Sequence, residues 1–159
     1  MLTVSLLVCA MMALAAADDA STVSPSVDVR SCPDGWNENN GRCFKFEPRL
    51  LTWAEAEKNC QSMKGNLASV HSMEEDQFLQ AMIRSQTSNN PDNWIGGSDC
   101  QQVNIWLWSD GSVFSFSFWC LGEPQGDIQG CIPMNHGAGT CWDDQQCSSY
   151  NPSVCAINM

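Results

Sequence analysis

The sequence predicts an α+β domain in which two helices come first and an antiparallel sheet follows. Two windows in the first half, residues 52–63 and 72–83, repeat apolar residues at helical spacing, and each begins with a capping-box pattern. After residue 93 the apolar residues fall instead in short, aromatic, turn-bounded runs that are typical of strands. Helices and strands in separate blocks favour an α+β architecture with antiparallel pairing.

The two helices are predicted from their caps and from their apolar faces. Thr52 with Glu55, and Ser72 with Glu75, place a hydroxyl three residues before a carboxylate, so each pair can satisfy free N–H groups at a helix start. The polar segment 85–91 ends the second helix. The apolar faces are formed by Trp53, Ala56, Cys60 and Met63 in the first helix and by Phe78, Leu79, Met82 and Ile83 in the second.

Short aromatic runs in the second half predict strands and leave one long loop between them. More than twenty residues with little periodicity separate Phe118 from Cys141. A loop of that length in a compact domain is usually functional, so we expect a ligand site there. The predicted strands are NWIGG (93–97), IWLWSDG (105–111), FSFSFW (114–119), CWDD (141–144) and SVCAI (153–157).

The beginning of the chain has the pattern of a secretory signal. Residues 1–17 are apolar but too few to span a bilayer, and Ala15 and Ala17 form the small-x-small pattern that precedes cleavage. We predict a signal peptide over 1–17, a flexible tail or propeptide over the polar residues 18–31, and one domain over 32–159. The protein is therefore expected to be secreted and extracellular, without insertion into a membrane.

The cysteine content predicts a disulfide framework. Ten cysteines are present, and nine remain once Cys9 is removed with the signal peptide. That density in a secreted chain indicates disulfides, whereas a zinc site would require short Cys-x-x-Cys spacings that the sequence lacks. Because nine is odd, at least one thiol is either free or bonded to another molecule.

Charge and motif content exclude several function classes. The formal net charge is −11, from 7 basic and 18 acidic residues, which is a poor match to nucleic acid or to an anionic membrane. The only histidines are His71, before a helix cap, and His136, in a turn near the long loop. We read no nucleophile–histidine–acid set and no glycine-rich phosphate loop, so we do not expect an enzyme.

Several motifs together resemble one known family. The chain is similar to C-type lectin-like domains, and within them to the secreted fish branch of mucus and serum lectins and type II antifreeze proteins. The similarity runs from Cys32 almost to the end of the chain, with the motifs in the family's order. These motifs are CPDGWNENNGRCF (32–44), TWAEAEKNC (52–60), NLASVHSMEE (66–75), WIGG (94–97), WLWSDGS (106–112) and CWDD with the following cysteines (141–155).

The resemblance implies a disulfide pattern with one cysteine left over. In type II antifreeze proteins the cysteine that matches Cys100 pairs with the first of two adjacent cysteines, where this chain has Gly130. Two interpretations of Cys100 stay open: a buried free thiol, or a bridge between two chains that gives a covalent homodimer. The implied pairs are Cys32–Cys43, Cys60–Cys155, Cys120–Cys141 and Cys131–Cys147.

The resemblance also implies a calcium and sugar site on the long loop. Calcium binds 6–8 oxygen ligands, and in sugar-binding members vicinal hydroxyls of the sugar complete its shell. A later Glu of the family pattern falls here at Gln129 or Gly130, so one carboxylate is missing. The remaining set favours at most weak calcium binding, and an acidic surface loop without metal is the alternative. The matching residues are Glu123, Gln125, Asp143 and Asp144, with Pro124 as a cis hinge and Asp127 as a further acid.

Two functions follow from the resemblance. The first is a lectin for a galactoside or mannoside in mucosal or innate defence, and the alternative is a type II antifreeze protein that binds ice. Sugar binding without calcium would use aromatic stacking, for which Trp119 and Trp142 flank the loop, although both are expected mainly in the core. The expected partner is therefore a glycan or ice, and a protein ligand is a third option.

Overall fold

The computed structural model describes residues 31–126 and 130–159. The predicted signal peptide and nearly all of the predicted tail lie outside these residues, as does Asp127. Both helices are present close to their predicted bounds. The elements are β1 (Asn37–Asn39), β2 (Arg42–Leu51), α1 (Trp53–Ser62), β3 (Asn66–Leu67), α2 (Met73–Gln86), β4 (Asn93–Ser98), β5 (Leu107–Trp108), β6 (Cys131–Met134) and β7 (Asn151–Asn158).

The two helix starts differ in how their caps are completed. At α1 the Thr52 side chain accepts from the Glu55 N–H, and the Glu55 carboxylate accepts from the Thr52 N–H, so the predicted capping box is complete. At α2 Ser72 accepts from the Glu75 N–H. The Glu75 carboxylate does not return to Ser72, because it accepts instead from the His71 N–H and from the Arg42 guanidinium. The second predicted capping box is therefore only half formed.

The strands form one mixed sheet rather than a purely antiparallel one. Its order is β1-β2-β7-β4-β5, with β3 added to β7 and β6 added to β4. Every pair between these strands is antiparallel except β4 and β7, which run parallel and meet at Trp94 and Ser153. A parallel pair requires a long connection, and more than fifty residues between β4 and β7 supply it. The predicted α+β class is confirmed, and this parallel pair departs from the predicted antiparallel pairing.

Two of the predicted strands are not strands of the sheet. The run 114–119 is outside the ladder, and its alternation arises because Phe114, Phe116 and Phe118 pack on the core while the residues between them are exposed. The segment 141–144 forms only isolated bridges, one of which joins Trp119 to Trp142. In 114–119 the alternating burial therefore reflects packing on the core rather than strand pairing, and in 141–144 Trp142 is the one buried residue.

Four disulfides fasten the fold, and they join the pairs that the resemblance implies: Cys32–Cys43, Cys60–Cys155, Cys120–Cys141 and Cys131–Cys147. The bond between α1 and β7 spans 95 residues of sequence. In the chain-entropy model a loop of this length stabilises the native state by about 4–5 kcal/mol. In the residues that the structure describes, no helix has the length and apolar content needed to cross a bilayer.

Candidate functional site

Three carboxylates from two separate segments meet at the edge of the long loop. Glu123 comes from the loop, and Asp143 and Asp144 directly follow the fully buried Trp142. One oxygen from each of the three carboxylates lies within 4.8 Å of the other two, and all three residues are half-buried. We refer to Glu123, Asp143 and Asp144 as the carboxylate cluster. The resemblance implied these three residues as candidate calcium ligands, and their carboxylates lie close together in the structure.

The loop is folded onto the cluster by hydrogen bonds to Asp144. The peptide bond between Glu123 and Pro124 is cis. Just after it, the Gln125 N–H donates to Asp144 Oδ1 at 3.1 Å, and the Gly126 N–H donates to Asp144 Oδ2 at 3.4 Å. Asp144 therefore holds the main chain of the loop and belongs to the cluster at the same time.

Trp142 ties the cluster to the core of the domain. Its ring is fully buried, and its Nε1–H donates to Asp76 Oδ1 on α2 at 2.8 Å. Burial raises the pKa of Asp76, although the hydrogen bond from Trp142 opposes that rise. A side chain in this position cannot stack on a sugar. Trp119 is half-buried, with its ring centroid 4.8 Å from that of Trp106.

Asp143 belongs to a second polar network that the sequence did not reveal. His136 Nδ1 lies 2.9 Å from Asp92 Oδ2 and 3.6 Å from Asp143 Oδ2. Gln145 Nε2 donates to both of these carboxylates, at 2.9 Å and 3.3 Å. The hydrogen bond that His136 donates to Asp92 is the largest cause that raises the pKa of His136, and the nearby carboxylates add to it. From the sequence, His136 is predicted only to be a turn residue. Its contact with Asp92 is not visible there, because the two residues are 44 positions apart.

The cluster has the chemistry of a calcium site that lacks part of its ligand set. Glu123 Oε2 is buried and has no hydrogen-bond partner among the described residues, although buried carboxylate oxygens almost always have one. A cation in the cluster would satisfy that oxygen. The Gln125 side chain donates Nε2 to Glu123 Oε1 at 3.1 Å, so its amide must turn before its oxygen can act as a ligand. Three carboxylates and one amide fall short of the 6–8 oxygens that calcium prefers, so water or bound ligand must supply the rest.

Gly130, one of the two positions at which the missing acid of the family pattern falls, lies beside the cluster. A Cβ added at Gly130 would lie 3.1 Å from the Cβ of Asp144 and 3.4 Å from the ring of Trp106. Gly130 thus faces the cluster without offering a side chain to it. Its N–H donates to Asp99 Oδ1 at 2.6 Å, which fixes the main chain at this place. Among the described residues, Gly130 therefore stands beside the cluster without adding a side-chain oxygen to it.

Cys100 has a free thiol on the surface of the described structure. The interpretation of Cys100 as a buried free thiol is right about the free thiol and wrong about its burial, because this residue lies in an exposed turn after β4. Its sulfur is 3.2 Å from Sγ of Cys147. The sequence could not reveal this proximity, since 47 residues separate the two cysteines.

Comparison with known proteins gives a consistent family assignment with two kinds of named function. Residues 49–157 match the model of the family described as Lectin C-type domain. The Type-2 ice-structuring protein of Hemitripterus americanus is 44% identical over 169 residues, which cover 100% of both chains. Ladderlectin of Oncorhynchus mykiss is 38% identical over 96% of this chain and 91% of its own. The galactose-specific lectin nattectin of Thalassophryne nattereri is 36% identical over 81% and 82%.

Similar solved structures differ in their named dependence on calcium. A Ca²⁺-dependent type II antifreeze protein in its Ca²⁺-free form has a TM-score of 0.75 at 37% identity, over 80% of this chain and 100% of that one. A calcium-independent type II antifreeze protein has a TM-score of 0.73 at 36% identity, over 80% and 95%. The overall fold is therefore compatible with either relation to calcium, and the residues of the cluster have to decide it.

Proposed function

The chain belongs to the Lectin C-type domain family, and from that premise we propose that it is an extracellular type II antifreeze protein that binds ice. The observation that carries the proposal is the similarity to an ice-structuring protein over the whole length of both chains. The lectin relatives named above are less similar. The comparisons thus support ice binding, the alternative from the sequence, better than they support the glycan-binding function placed first there.

The rigidity of the site supports a function in which the protein binds a solid surface. The segment that carries Asp143 and Asp144 is bounded by Cys141 and Cys147, and each of these is in a disulfide. Gln145, in the same segment, exchanges two main-chain hydrogen bonds with Cys131, at 2.9 Å and 3.0 Å. Groups that are already ordered lose little conformational entropy on binding. A face held in this way can bind ice without a large ordering cost.

Thermal hysteresis tests the proposed function directly. The mature protein should separate the melting and freezing temperatures of a solution that contains a seed ice crystal, and it should shape the growing crystal. The same preparation after reduction and alkylation, which unfolds the domain, is the negative control. A folded preparation without hysteresis, with calcium and with a chelator alike, would contradict ice binding.

We infer that the carboxylate cluster binds calcium weakly, and that ice binding depends on it. The inference is supported by three converging carboxylates and by the buried Glu123 Oε2, which has no partner among the described residues. Glu123→Gln keeps the size of the side chain but removes its charge, and should weaken calcium binding by at least tenfold in calorimetric titration. The matched control is Asp34→Asn, which removes one exposed carboxylate in the turn before β1. Equal affinities in the two variants would place the metal elsewhere or exclude it.

Glycan binding is the second candidate function. The same carboxylate cluster supports it, since a bound calcium ion leaves ligand positions for vicinal sugar hydroxyls. The named specificity of the nattectin relative suggests a galactoside as the first ligand to test. Agglutination of cells, inhibited by galactose or lactose and lost with chelator, would favour this function. Hysteresis without agglutination would exclude it in favour of ice binding. Neither function requires a catalytic residue, and the lack of enzymatic activity remains a prediction from the sequence.

A covalent homodimer and an extracellular location complete the proposal. Four disulfides in a small domain are typical of an oxidising compartment, which supports secretion. The exposed thiol of Cys100 is accessible to a second copy of the chain. A dimer would present two sites and gain avidity on a multivalent surface. Non-reducing electrophoresis should show a dimer band that disappears in Cys100→Ser, and a monomer alone would rule the covalent dimer out.

A further inference from the structure

Three sulfur atoms lie together at one end of the segment 141–147, which carries Asp143 and Asp144 and is called here the carboxylate-bearing segment. Cys100 follows β4, Cys131 begins β6, and Cys147 lies in the turn before β7. Cys131 and Cys147 are bonded to each other, and Sγ of Cys100 lies 3.2 Å from Sγ of Cys147 and 4.0 Å from Sγ of Cys131. A free thiol is therefore in contact with both sulfurs of a disulfide. We call Cys100, Cys131 and Cys147 the sulfur triad.

The main chain keeps the free thiol next to that disulfide. Asp99, which is fully buried, donates its N–H to the Gly130 carbonyl at 3.1 Å and accepts the Gly130 N–H on Oδ1 at 2.6 Å. The residues just before Cys100 and Cys131 are thus bonded to each other twice. On the other side, the Cys147 carbonyl accepts from the Trp53 N–H at the start of α1 at 3.0 Å. The three cysteines therefore stay together even when their side chains rotate.

We propose that the sulfur triad is a thiol–disulfide exchange unit, in which Cys100 and Cys131 compete for Cys147. The Cys100 thiol loses a proton to solvent, and its thiolate attacks Sγ of Cys147. The bond between Cys147 and Cys100 forms as the bond between Cys147 and Cys131 breaks. Cys131 leaves as a thiolate and takes up a proton. The number of thiols and disulfides is unchanged, so the step needs neither an oxidant nor a reductant.

The exchange requires rotation of the Cys100 side chain and loss of the proton of its thiol. The distances of 3.2 Å and 4.0 Å place the three sulfurs in a triangle, so the Cys100 side chain must rotate to approach Cys147 in line with the bond that breaks. Cys100 lies in an exposed turn, where rotation meets little resistance. Although Cys100 is exposed as a residue, its sulfur is partly desolvated, and this together with the negative charge of Asp99 raises the pKa of the Cys100 thiol, which keeps the exchange slow in acid. Acid therefore stops the exchange and allows each isomer to be trapped.

The exchange changes how the carboxylate-bearing segment is tethered. In the described isomer, the disulfide at Cys147 ties this segment to β6. In the other isomer Cys147 would be tied to the turn after β4. The two main-chain hydrogen bonds between Cys131 and Gln145 do not depend on either disulfide and can keep β6 in place. The proposal thus predicts two folded isomers of one chain that differ in the tether beside Asp143 and Asp144.

Mapping the free thiol tests the exchange. Monomer isolated in acid is incubated in mildly alkaline buffer, returned to acidic denaturant, labelled with N-ethylmaleimide and digested with pepsin without reduction. Label is expected on Cys100 at the start. With incubation its share on Cys131 should rise several-fold over a sample held in acid, together with a peptide that links Cys100 to Cys147.

Two controls keep the result specific to the triad. Cys100→Ser retains the Cys131–Cys147 bond and should give no label on Cys131 at any time. The rate of transfer should not change with protein concentration, because the three sulfurs belong to one chain. Label confined to Cys100 after every incubation would overturn the proposal. A rate that rises with protein concentration would also overturn it, since exchange would then occur between chains. Neither result depends on whether the protein binds ice, glycan or calcium.

Discussion

Trp142→Phe should destabilise the domain far more than the same substitution at Trp119. Trp142 is fully buried in the core and donates its Nε1–H to Asp76, whereas Trp119 is half-buried and packs against the outside of that core. Loss of the indole leaves a buried carboxylate without one donor, which costs about 1–3 kcal/mol. The smaller ring also leaves unfilled volume, and partial loss of a buried side chain costs about 1 kcal/mol more. The expected decrease in the free energy of unfolding is therefore about 2–4 kcal/mol.

Equilibrium unfolding in urea measures this difference. Trp119→Phe is the matched control, because it removes the same atoms from a less buried position and should cost less than about 1.5 kcal/mol. The two variants should have similar m-values, so that their midpoints report stability. Equal losses in the two variants would refute the assignment of Trp142 as the anchor between α2 and the carboxylate cluster.

Three further predictions concern charge and calcium. The pKa of His136 is raised mainly by Asp92, so protonation of His136 stabilises the fold in acid. This contribution is lost as pH rises through the raised pKa. His136→Ala should therefore remove this part of the pH dependence of the free energy of unfolding. Arg42→Met leaves the buried carboxylate of Glu75 without its 2.6 Å ion pair and removes two hydrogen bonds to Ser69. The free energy of unfolding in urea should fall by about 3–5 kcal/mol. A fall of less than about 1 kcal/mol would contradict this role of Arg42. Calcium at a hundredfold excess over its dissociation constant should raise the free energy of unfolding by about 2.7 kcal/mol, and an equal effect of magnesium would argue against a calcium site.

The helices and the family framework were predictable because their signals are local. A cap at Thr52 and an apolar stripe along α1 are read directly from residues three and four positions apart. The motifs that carry the resemblance also keep their order along the chain. The strand β2, by contrast, was not predicted, although it is the longest strand among the described residues. Its sequence RCFKFEPRLL contains a proline and three basic residues, which weaken the alternating pattern.

The remaining features depend on contacts that are distant in sequence. The run 114–119 alternates like a strand, but Phe114 and Phe116 pack on Trp142, and its backbone pairs only through an isolated bridge at Trp119. Arg42 bonds residues that lie 27, 33 and 116 positions away, and no periodicity signals such a network. The contact between Cys100 and Cys147 is of the same kind. An odd cysteine number predicted a thiol that is free or bonded to another molecule, and only the fold shows that this thiol lies against a disulfide.

Thermal hysteresis with and without calcium tests the central claim most directly. We predict that the purified protein, cleared of Cys100-linked dimer by the Cys100→Ser substitution, produces hysteresis in calcium, and that chelator reduces it. The variant Glu123→Gln should show the reduced value in both conditions, while Asp34→Asn should behave as the parent. Agglutination that galactose inhibits, together with no hysteresis in any condition, would contradict the account and identify the protein as a lectin.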